Sequence, residues 1–312
     1  MKRAHADTQT PSRRGRRRIA AGRILSSADD PGVTVIEANR CDNAFRAAGD
    51  ELEPSTIKSA HRVLRIFEYF AEIQRPAAMT EIARRLNYPT SSTSVLLKCL
   101  VDLGYLNSDS RMRTYVPTAR ISLIGSWLRD RILPGGNLEK IIHELHDSTQ
   151  LTTFVASRNG LYSQYIYVLQ GTTSVRFYLE PGSLRLLTQS TPGRVLLSLM
   201  SDNDVQRIVL RINVDGLAAP PIQFTDLQTA LATIRRQGFA YTRNRGTPGL
   251  STIAMQLPAT PHAGALAIAV AGSSEKIDAE ASAIISKMRD LIETEVPGTL
   301  VQIDPSVKPR ET

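Results

Sequence analysis

Cysteine, tryptophan and long apolar runs are scarce in this sequence. The 312 residues include 2 cysteines and 1 tryptophan, and aromatic residues make up 5% of the chain. Cys41 and Cys99 are too few for the disulfide framework of a small secreted protein. No apolar stretch approaches the roughly 20 residues of a membrane helix, and polar sequence follows Met1-Lys2-Arg3 where a signal peptide would have its apolar core. We therefore expect a cytoplasmic protein with no membrane segment.

Motifs that would indicate an enzyme or a metal site are also missing. The chain has no Gly-rich phosphate loop with its lysine, no nucleophile elbow and no His-Glu-x-x-His. His143 and His146 lie three residues apart on a predicted helix, but further ligands at zinc spacing are absent nearby. We predict no catalytic residue, no metal and no cofactor; an enzyme with an unfamiliar active site is an alternative.

The sequence carries an excess of positive charge, and this excess is localised. The formal net charge is +8. Residues 55–133 contain 12 basic and 6 acidic side chains, whereas residues 134–312 contain 16 of each. The chain is long enough for two domains, and 42% hydrophobic residues can fill a core in both. A small basic domain beside a larger neutral one is typical of a module that binds DNA, because phosphate contacts supply most of the non-specific affinity.

The stretch from Met79 to Leu106 has the pattern of a helix-turn-helix. A short amphipathic helix stops at Asn87-Tyr88-Pro89, and Gly104 ends a second helix. Leucines at helical spacing give the second helix a buried side, while hydroxyl side chains cluster at its N-terminal end. A recognition helix places this end in the major groove. The predicted DNA-binding residues of this helix are Thr90, Ser91, Ser92, Thr93, Ser94 and Lys98.

A predicted β-hairpin follows the two helices and completes a winged helix. Tyr105-Leu106 and Arg111 to Val116 have strand character, with turn-forming residues between them. Arg111 and Arg113 alternate on the second predicted strand, so both point to one face, where a wing would meet backbone phosphate. The alternatives are that these arginines are ordinary surface residues, and that the winged helix is a protein-interaction adaptor.

Composition and turn residues divide the chain into segments. The N-terminal segment is polar, broken by prolines, and contains the basic run Arg13 to Arg18, so we predict a flexible tail that adds salt-sensitive DNA affinity. The linker helix has a wide apolar face that includes Trp127, which predicts a dimerisation surface. The predicted segments are a flexible basic tail over 1–54, a winged helix-turn-helix domain over 55–117, a linker helix and hinge over 118–135, a second domain over 136–296 and a C-terminal tail over 297–312.

The second domain has the pattern of an α+β sheet domain with a small-molecule site. Ser190 to Gly193 opens a helix, and a helix N-terminus favours the negative end of a ligand. The strand and loop after Phe239 carry Tyr and Arg side chains that could bind the carboxylate of a ligand and stack on its apolar part. The alternative is that the arginines are solvated and Tyr241 belongs to the core. The predicted effector-binding residues are Ser190, Thr191, Gly193, Tyr241, Arg243, Arg245, Thr252 and Met255.

Short motifs in a fixed order run through both domains. They include Thr80-Glu81-Ile82-Ala83-Arg84-Arg85-Leu86, Pro89-Thr90-Ser91-Ser92, Leu103-Gly104-Tyr105-Leu106, Arg113-Thr114-Tyr115-Val116-Pro117, Thr191-Pro192-Gly193-Arg194-Val195-Leu196-Leu197, Gln237-Gly238-Phe239-Ala240 and Gly249-Leu250-Ser251-Thr252-Ile253-Ala254. With these motifs, the chain from about residue 55 to residue 293 resembles the IclR family of bacterial transcriptional regulators. The resemblance implies a winged-helix DNA-binding domain, a linker helix and a GAF-like effector-binding domain, assembled as a homodimer or a dimer of dimers. It also implies that a small metabolite alters binding to a double-stranded DNA operator.

Two departures from the family pattern shape the functional hypothesis. Where many members carry basic residues in the reading helix, this chain has Thr90, Thr93, Ser94 and Val95, so base readout would rest on hydroxyls, apolar contact and Lys98. After the strand at Gly238, the family often has acidic residues. This chain instead has Arg243, Asn244 and Arg245. We therefore expect an organic acid as effector, aromatic or not. Its carboxylate would meet Arg243 or Arg245, while Ser190, Thr191 and Thr252 complete the polar contacts.

Overall fold

Two short strands precede the first domain. The computed structural model describes residues 24–26, 34–37, 57–132, 137–245, 247–260 and 264–297. Strands β1 (Ile24–Ser26) and β2 (Thr34–Glu37) pair antiparallel, and β2 also pairs in parallel with a distant strand at Val175–Tyr178. The expectation of no regular structure over 1–54 is therefore wrong for these residues, because a strand whose partner is remote leaves no local period. The basic run at 13–18 lies outside the described residues.

The first domain is the predicted winged helix. Three helices surround a core formed by Ile66, Phe70, Ile82, Leu97 and Leu106. A small antiparallel sheet in the strand order β3-β5-β4 lies beside them. The elements are α1 (Lys58–Ile73), β3 (Ala77–Ala78), α2 (Met79–Leu86), α3 (Thr90–Asp102), β4 (Leu106–Asp109) and β5 (Thr114–Pro117).

A single helix, α4 (Arg120–Ile132), occupies the position of the predicted linker helix. Its residues Leu123, Ile124 and Trp127 are all exposed. Because these positions fall on one side of the helix, they form an exposed apolar stripe in the single chain. The predicted hinge at Pro134-Gly135-Gly136 lies outside the described residues.

The second domain is built on a six-stranded antiparallel sheet in the order β10-β11-β12-β6-β7-β9. A tight hairpin joins β6 to β7 at Asn159-Gly160, a residue pair that favours such turns, and Gly160 takes a φ of 59° there. The elements are α5 (Asn137–Thr149), β6 (Thr152–Asn159), β7 (Tyr162–Leu169), β8 (Val175–Tyr178), β9 (Leu184–Leu186), α6 (Thr191–Ser198), α7 (Asp202–Val214), α8 (Phe224–Gln237), β10 (Phe239–Arg243), β11 (Leu250–Thr260), β12 (Gly264–Ser273) and α9 (Ser274–Glu295).

The sheet separates two cores. Helices α6, α7 and α8 contribute to the core on one face, and α5 and α9 contribute to the core on the other. The strand residues on the α6 face include six buried alanines, and such small side chains allow a helix to approach the sheet closely. These alanines are Ala156, Ala240, Ala254, Ala267, Ala269 and Ala271. The fold confirms the predicted α+β class. Because side chains alternate along a strand, neighbouring strand residues contribute to different cores.

Candidate DNA-binding surface and effector site

The turn of the helix-turn-helix is set by two residues. Asn87 ends α2 in the left-handed conformation, with a φ of 55°, which asparagine tolerates better than most residues. The N–H of Tyr88 donates to the carbonyl of Ala83 at 2.9 Å and closes the helix end. Pro89 then precedes α3, where its missing N–H costs nothing. The local sequence therefore fixes the angle at which α3 leaves the turn.

The N-terminal half of α3 presents a mixed surface of hydroxyls, one valine and one lysine. Thr90, Ser91, Ser94, Val95 and Lys98 are all exposed. Hydroxyls accept or donate a hydrogen bond at base edges, a valine methyl can contact the thymine methyl, and lysine suits guanine or phosphate. These five side chains therefore form an exposed surface of a chemistry that suits base edges.

Two predicted members of this surface behave differently. Thr93 is fully buried, and its hydroxyl donates to the carbonyl of Pro89 at 3.0 Å. The prediction that Thr93 contacts DNA is therefore wrong, because its position on α3 faces the domain core beside Leu97. Ser92 is half-buried and also donates to the Pro89 carbonyl at 3.0 Å, so only its oxygen lone pairs remain available.

Arg111 and Arg113 lie in the tip of the wing and not on a strand. Asp109 accepts from the backbone N–H groups of Arg111 at 2.8 Å and Met112 at 3.0 Å, and Arg113 has a φ of 54°. The expected alternation on one strand face is wrong, because the aspartate turn takes up residues that the sequence pattern assigned to β5. Both arginines are nevertheless exposed at the tip.

Met112, which is not among the predicted DNA-binding residues, lies between these two arginines and is 67% exposed. The sequence pattern that could have indicated it is an apolar residue between two arginines in a turn-forming segment.

A buried tyrosine and an ion pair hold α2 against α1. The hydroxyl of Tyr69 donates to Glu81 at 2.8 Å, and Arg75 forms an ion pair with the same carboxylate at 2.5 Å. Hydrogen bonds from Arg75 and then from Tyr69 lower the pKa of Glu81 below its usual value. The carboxylate thus positions the first helix of the motif relative to its neighbour.

In the second domain, the N-terminus of α6 is tied down by hydroxyl contacts. The Ser190 hydroxyl accepts from the N–H of Gly193 at 3.1 Å and lies 2.7 Å from the Ser163 hydroxyl. Thr191 lies 2.5 Å from Thr242 between their hydroxyl oxygens. All of these residues are buried or, for Gly193, packed without space for a side chain. The predicted polar residues therefore come together, but they bind one another.

Tyr241 and Arg243 lie on the opposite face of the sheet from this cluster. The Tyr241 hydroxyl donates to Asp278 on α9, and Arg243 forms an ion pair with the same carboxylate at 2.7 Å. Burial, followed by the hydrogen bond to Asp278, raises the pKa of Tyr241 to about 12. The expectation that these two residues share one pocket with Ser190 and Thr191 is wrong, because successive residues of β10 point to opposite faces.

The remaining predicted effector residues divide in the same way. Thr252 is buried on the α6 face, directly opposite Thr242 on β10. Met255 is buried in the core on the α9 face. Arg245 is exposed in the loop after β10. The predicted set is therefore divided by the sheet: Ser190, Thr191, Gly193 and Thr252 lie on the α6 face, and Tyr241, Arg243 and Met255 lie on the α9 face.

In the part of the chain that the structure describes, no group of three metal-ligating side chains occurs and no helix could cross a bilayer. The two histidines of α5 make contacts inside the domain: His146 Nδ1 lies 3.0 Å from the Leu151 carbonyl, and His143 Nε2 lies 3.3 Å from the Tyr167 hydroxyl.

Two family models match the two domains. Residues 59–110 match the IclR helix-turn-helix domain, and residues 137–294 match the model described as bacterial transcriptional regulator IclR C-terminal. The second match covers about half of the chain by itself. The chain belongs to the IclR family. It is accordingly a transcriptional regulator with a helix-turn-helix DNA-binding domain and a C-terminal effector-binding domain.

Individual relatives of this IclR-family protein are distant. The HTH-type transcriptional regulator BhcR of Paracoccus denitrificans is 25% identical over 260 residues, which is 79% of this chain and 90% of that protein. The acetate operon repressor of Salmonella typhimurium is 24% identical over 205 residues, which is 64% of this chain and 73% of that protein. A transcriptional regulator structure from Alicyclobacillus acidocaldarius has a TM-score of 0.62 at 18% identity and covers 77% of this chain and 96% of its own. The structural likeness supports the fold.

Proposed function

We propose that this IclR-family regulator reads its operator with the exposed half of α3 and the tip of the wing. We also propose that it acts in the cytoplasm as a homodimer or a dimer of dimers, and that a small organic acid alters its DNA binding. One observation carries the DNA-binding part. Ser91, Ser94, Val95 and Lys98 are exposed on α3, the second helix of the helix-turn-helix, which lies within the region that matches the family's helix-turn-helix domain.

Base readout on this surface depends on few charges. Lys98 is the only basic side chain of α3. Hydroxyls and a valine give weaker discrimination than a bidentate arginine, so specificity should also draw on DNA shape. The arginines at the wing tip supply backbone contact, which fixes the register without reading sequence.

The protein-interaction alternative and the enzyme alternative gain no support from the family. An adaptor would have no need for Arg111 and Arg113 to be presented together at an exposed tip. Family membership names transcriptional regulators and no reaction.

The proposed test is fluorescence anisotropy with a labelled duplex from the promoter region next to the gene. The full-length protein should bind this duplex more tightly than a scrambled duplex of equal composition. Its affinity for both should fall steeply as salt rises, because bound phosphates release counterions. Equal affinity for the two duplexes at physiological salt would reject operator recognition, and a flat salt dependence would favour the adaptor.

The effector part of the proposal needs a separate measurement. Acetate is the simplest carboxylate to use as a probe, and one relative is named for an acetate operon. A change in operator affinity on addition of acetate or benzoate, but not of acetamide or benzamide at matched ionic strength, would support an organic acid. Unchanged operator affinity with every carboxylate of a broad metabolite panel would reject it.

A further inference from the structure

Arg194 stands apart from every other buried residue of the effector domain. It is 6% exposed, and among the residues that the structure describes it is the only buried one with a charged side chain. It lies in the first turn of α6, close to the positive end of the helix macrodipole. Burial and the helix dipole both oppose a positive charge at this position.

The charge of Arg194 has no counter-ion within the described structure. Its one hydrogen bond there runs from Nε to the carbonyl of Thr188 at 3.1 Å. The ion pairs of the described residues all involve other arginines and lysines. A guanidinium has five N–H donors, so four of them are left for another acceptor. An unpaired buried charge is costly, which is why such charges are normally neutralised by a partner or a ligand.

A second buried polar group lies at the same place. The hydroxyl of Thr188 is in a residue that is 1% exposed, and it finds no hydrogen-bond partner among the described residues. Thr188 is also the residue whose backbone carbonyl accepts from Arg194 Nε, so the unpartnered hydroxyl and the guanidinium belong to residues in direct contact. A hydroxyl and a guanidinium are both donors that suit a carboxylate, whose two oxygens accept hydrogen bonds.

We propose that Arg194 and Thr188 bind the carboxylate of the small-molecule effector. Arg194 would take the carboxylate through its terminal nitrogens, and the Thr188 hydroxyl would donate to one of the oxygens. Arg243 is less suited to this role, because it already forms an ion pair with Asp278 at 2.7 Å. The assignment deepens the proposed function, on which it rests, by naming the residues that bind the acid.

Titration calorimetry on the full-length protein tests the assignment with acetate and benzoate as probes. Acetamide and benzamide are the neutral counterparts, and sodium chloride keeps the ionic strength equal. The wild type should bind the carboxylates and ignore the amides. Arg194→Met, which keeps an unbranched apolar stem and removes the guanidinium and its charge, should lower carboxylate affinity at least about tenfold. Thr188→Val should lower it by about threefold to tenfold.

Control variants keep the test decisive. Arg207→Met removes an exposed arginine from α7 and should leave carboxylate binding unchanged, since the Arg207 side chain is 80% exposed. Should Arg194→Met fail to fold, Arg194→Lys keeps the charge but lacks the fork, and it should still bind carboxylate more weakly than the wild type.

Two results would overturn the assignment: equal carboxylate affinity in the wild type and every Arg194 variant that folds, or no carboxylate affinity in the wild type.

Anisotropy on the same preparations separates this assignment from the proposed function. If acetate alters operator binding equally in the wild type and in Arg194→Met, the proposed function is supported and the assignment of the carboxylate to Arg194 is wrong. If the wild type binds no operator at all, the proposed function fails, while the calorimetry still decides whether Arg194 binds carboxylate.

Discussion

At the scale of single residues, the proposed DNA-binding surface combines side chains with different roles. Lys98 is exposed on α3 and Arg113 is exposed in the wing turn; under the proposed function, Lys98 contacts base edges and Arg113 contacts phosphate. Removing either should therefore weaken DNA binding in a different way.

We expect Lys98→Ala to change sequence preference and Arg113→Ala to weaken binding to all sequences alike. Loss of a base contact should cost about 1–3 kcal/mol at one operator position, and loss of a phosphate contact should reduce the salt slope by about 1. Anisotropy with a set of single-base operator variants measures the first effect, and a salt titration measures the second. Lys287→Ala, an exposed lysine of α9, is the matched control. A uniform loss of affinity in Lys98→Ala would show that this lysine contacts only phosphate.

Gly193 is a residue whose role is close packing. A Cβ added there would lie 2.5 Å from the Leu187 carbonyl oxygen and 2.7 Å from its Cα. Since backbone cannot yield cheaply, Gly193→Ala should destabilise the effector domain by about 1–3 kcal/mol. Gly125→Ala on α4 is the control, because nothing lies within 4 Å of its added Cβ, and it should stabilise the helix by up to about 1 kcal/mol. Chemical denaturation of both variants checks the difference, and equal stabilities would contradict it.

At the scale of elements, the contact between α1 and α2 carries a pH dependence. The pKa of Glu81 is lowered in the folded state, chiefly by its hydrogen bond from Arg75. A lowered pKa contributes stability above the unfolded value of about 4.3, and this contribution is lost as the pH falls through the folded value.

Glu81→Gln should therefore raise the exchange rates of α2 amides by a factor of about 2–5 near pH 7, since a largely exposed pair contributes little. The difference from the wild type should shrink below about pH 4. Hydrogen exchange at each pH, compared between variants, measures it. Glu68→Gln removes an exposed carboxylate from α1 and should leave α2 unchanged. A difference that persists at low pH would mean that the carboxylate charge has no part in it.

Helices and turns with strong local signals were predictable from sequence. The end of α8 at Gly238, which has a φ of 76°, and the β6–β7 turn at Gly160 both follow from the demand for a left-handed residue. The start of α6 at Thr191 agrees with the prediction that Ser190 to Gly193 opens a helix, because Ser190 caps it and Pro192 fits the first helical turn.

The faces of β10 were not predictable from sequence. Its first four residues, Phe239 to Thr242, are all buried, since helices cover both faces of the sheet. A strand buried on both faces has no apolar and polar alternation to assign its sides. The sequence therefore predicted the strand β10 but could not show that Tyr241 and Thr242 point to opposite faces. The buried charge of Arg194 was also hidden, because an arginine in a helix normally predicts a solvated face.

At the scale of the whole molecule, the exposed stripe of α4 predicts the assembly. Leu123, Ile124 and Trp127 would stay in water in a monomer. Ile124→Glu should therefore shift the sedimentation of the full-length protein toward the monomer and weaken operator binding, since two linked reading helices bind with an avidity that one lacks. Leu210→Glu, on the exposed side of α7, is the matched control for loss of a dimer. A dimer that survives Ile124→Glu would place the interface elsewhere.

The N-terminal strands connect the tail to the effector domain, and their removal should be felt there. β2 pairs with β8 along four residues, from Thr34 opposite Val175 to Glu37 opposite Tyr178. Deleting residues 1–40 would leave that edge of β8 without a partner, so the β8 amides that β2 protects should exchange at least about tenfold faster, while amides of β12 should not change.

Deleting only residues 1–20 removes the basic run at 13–18 and keeps both strands. That shorter deletion should leave β8 exchange as in the full chain and lower the salt-sensitive part of DNA affinity. Equal β8 exchange in both deletions would mean that the strand pairing contributes nothing to the domain, and the tail would then act on DNA alone.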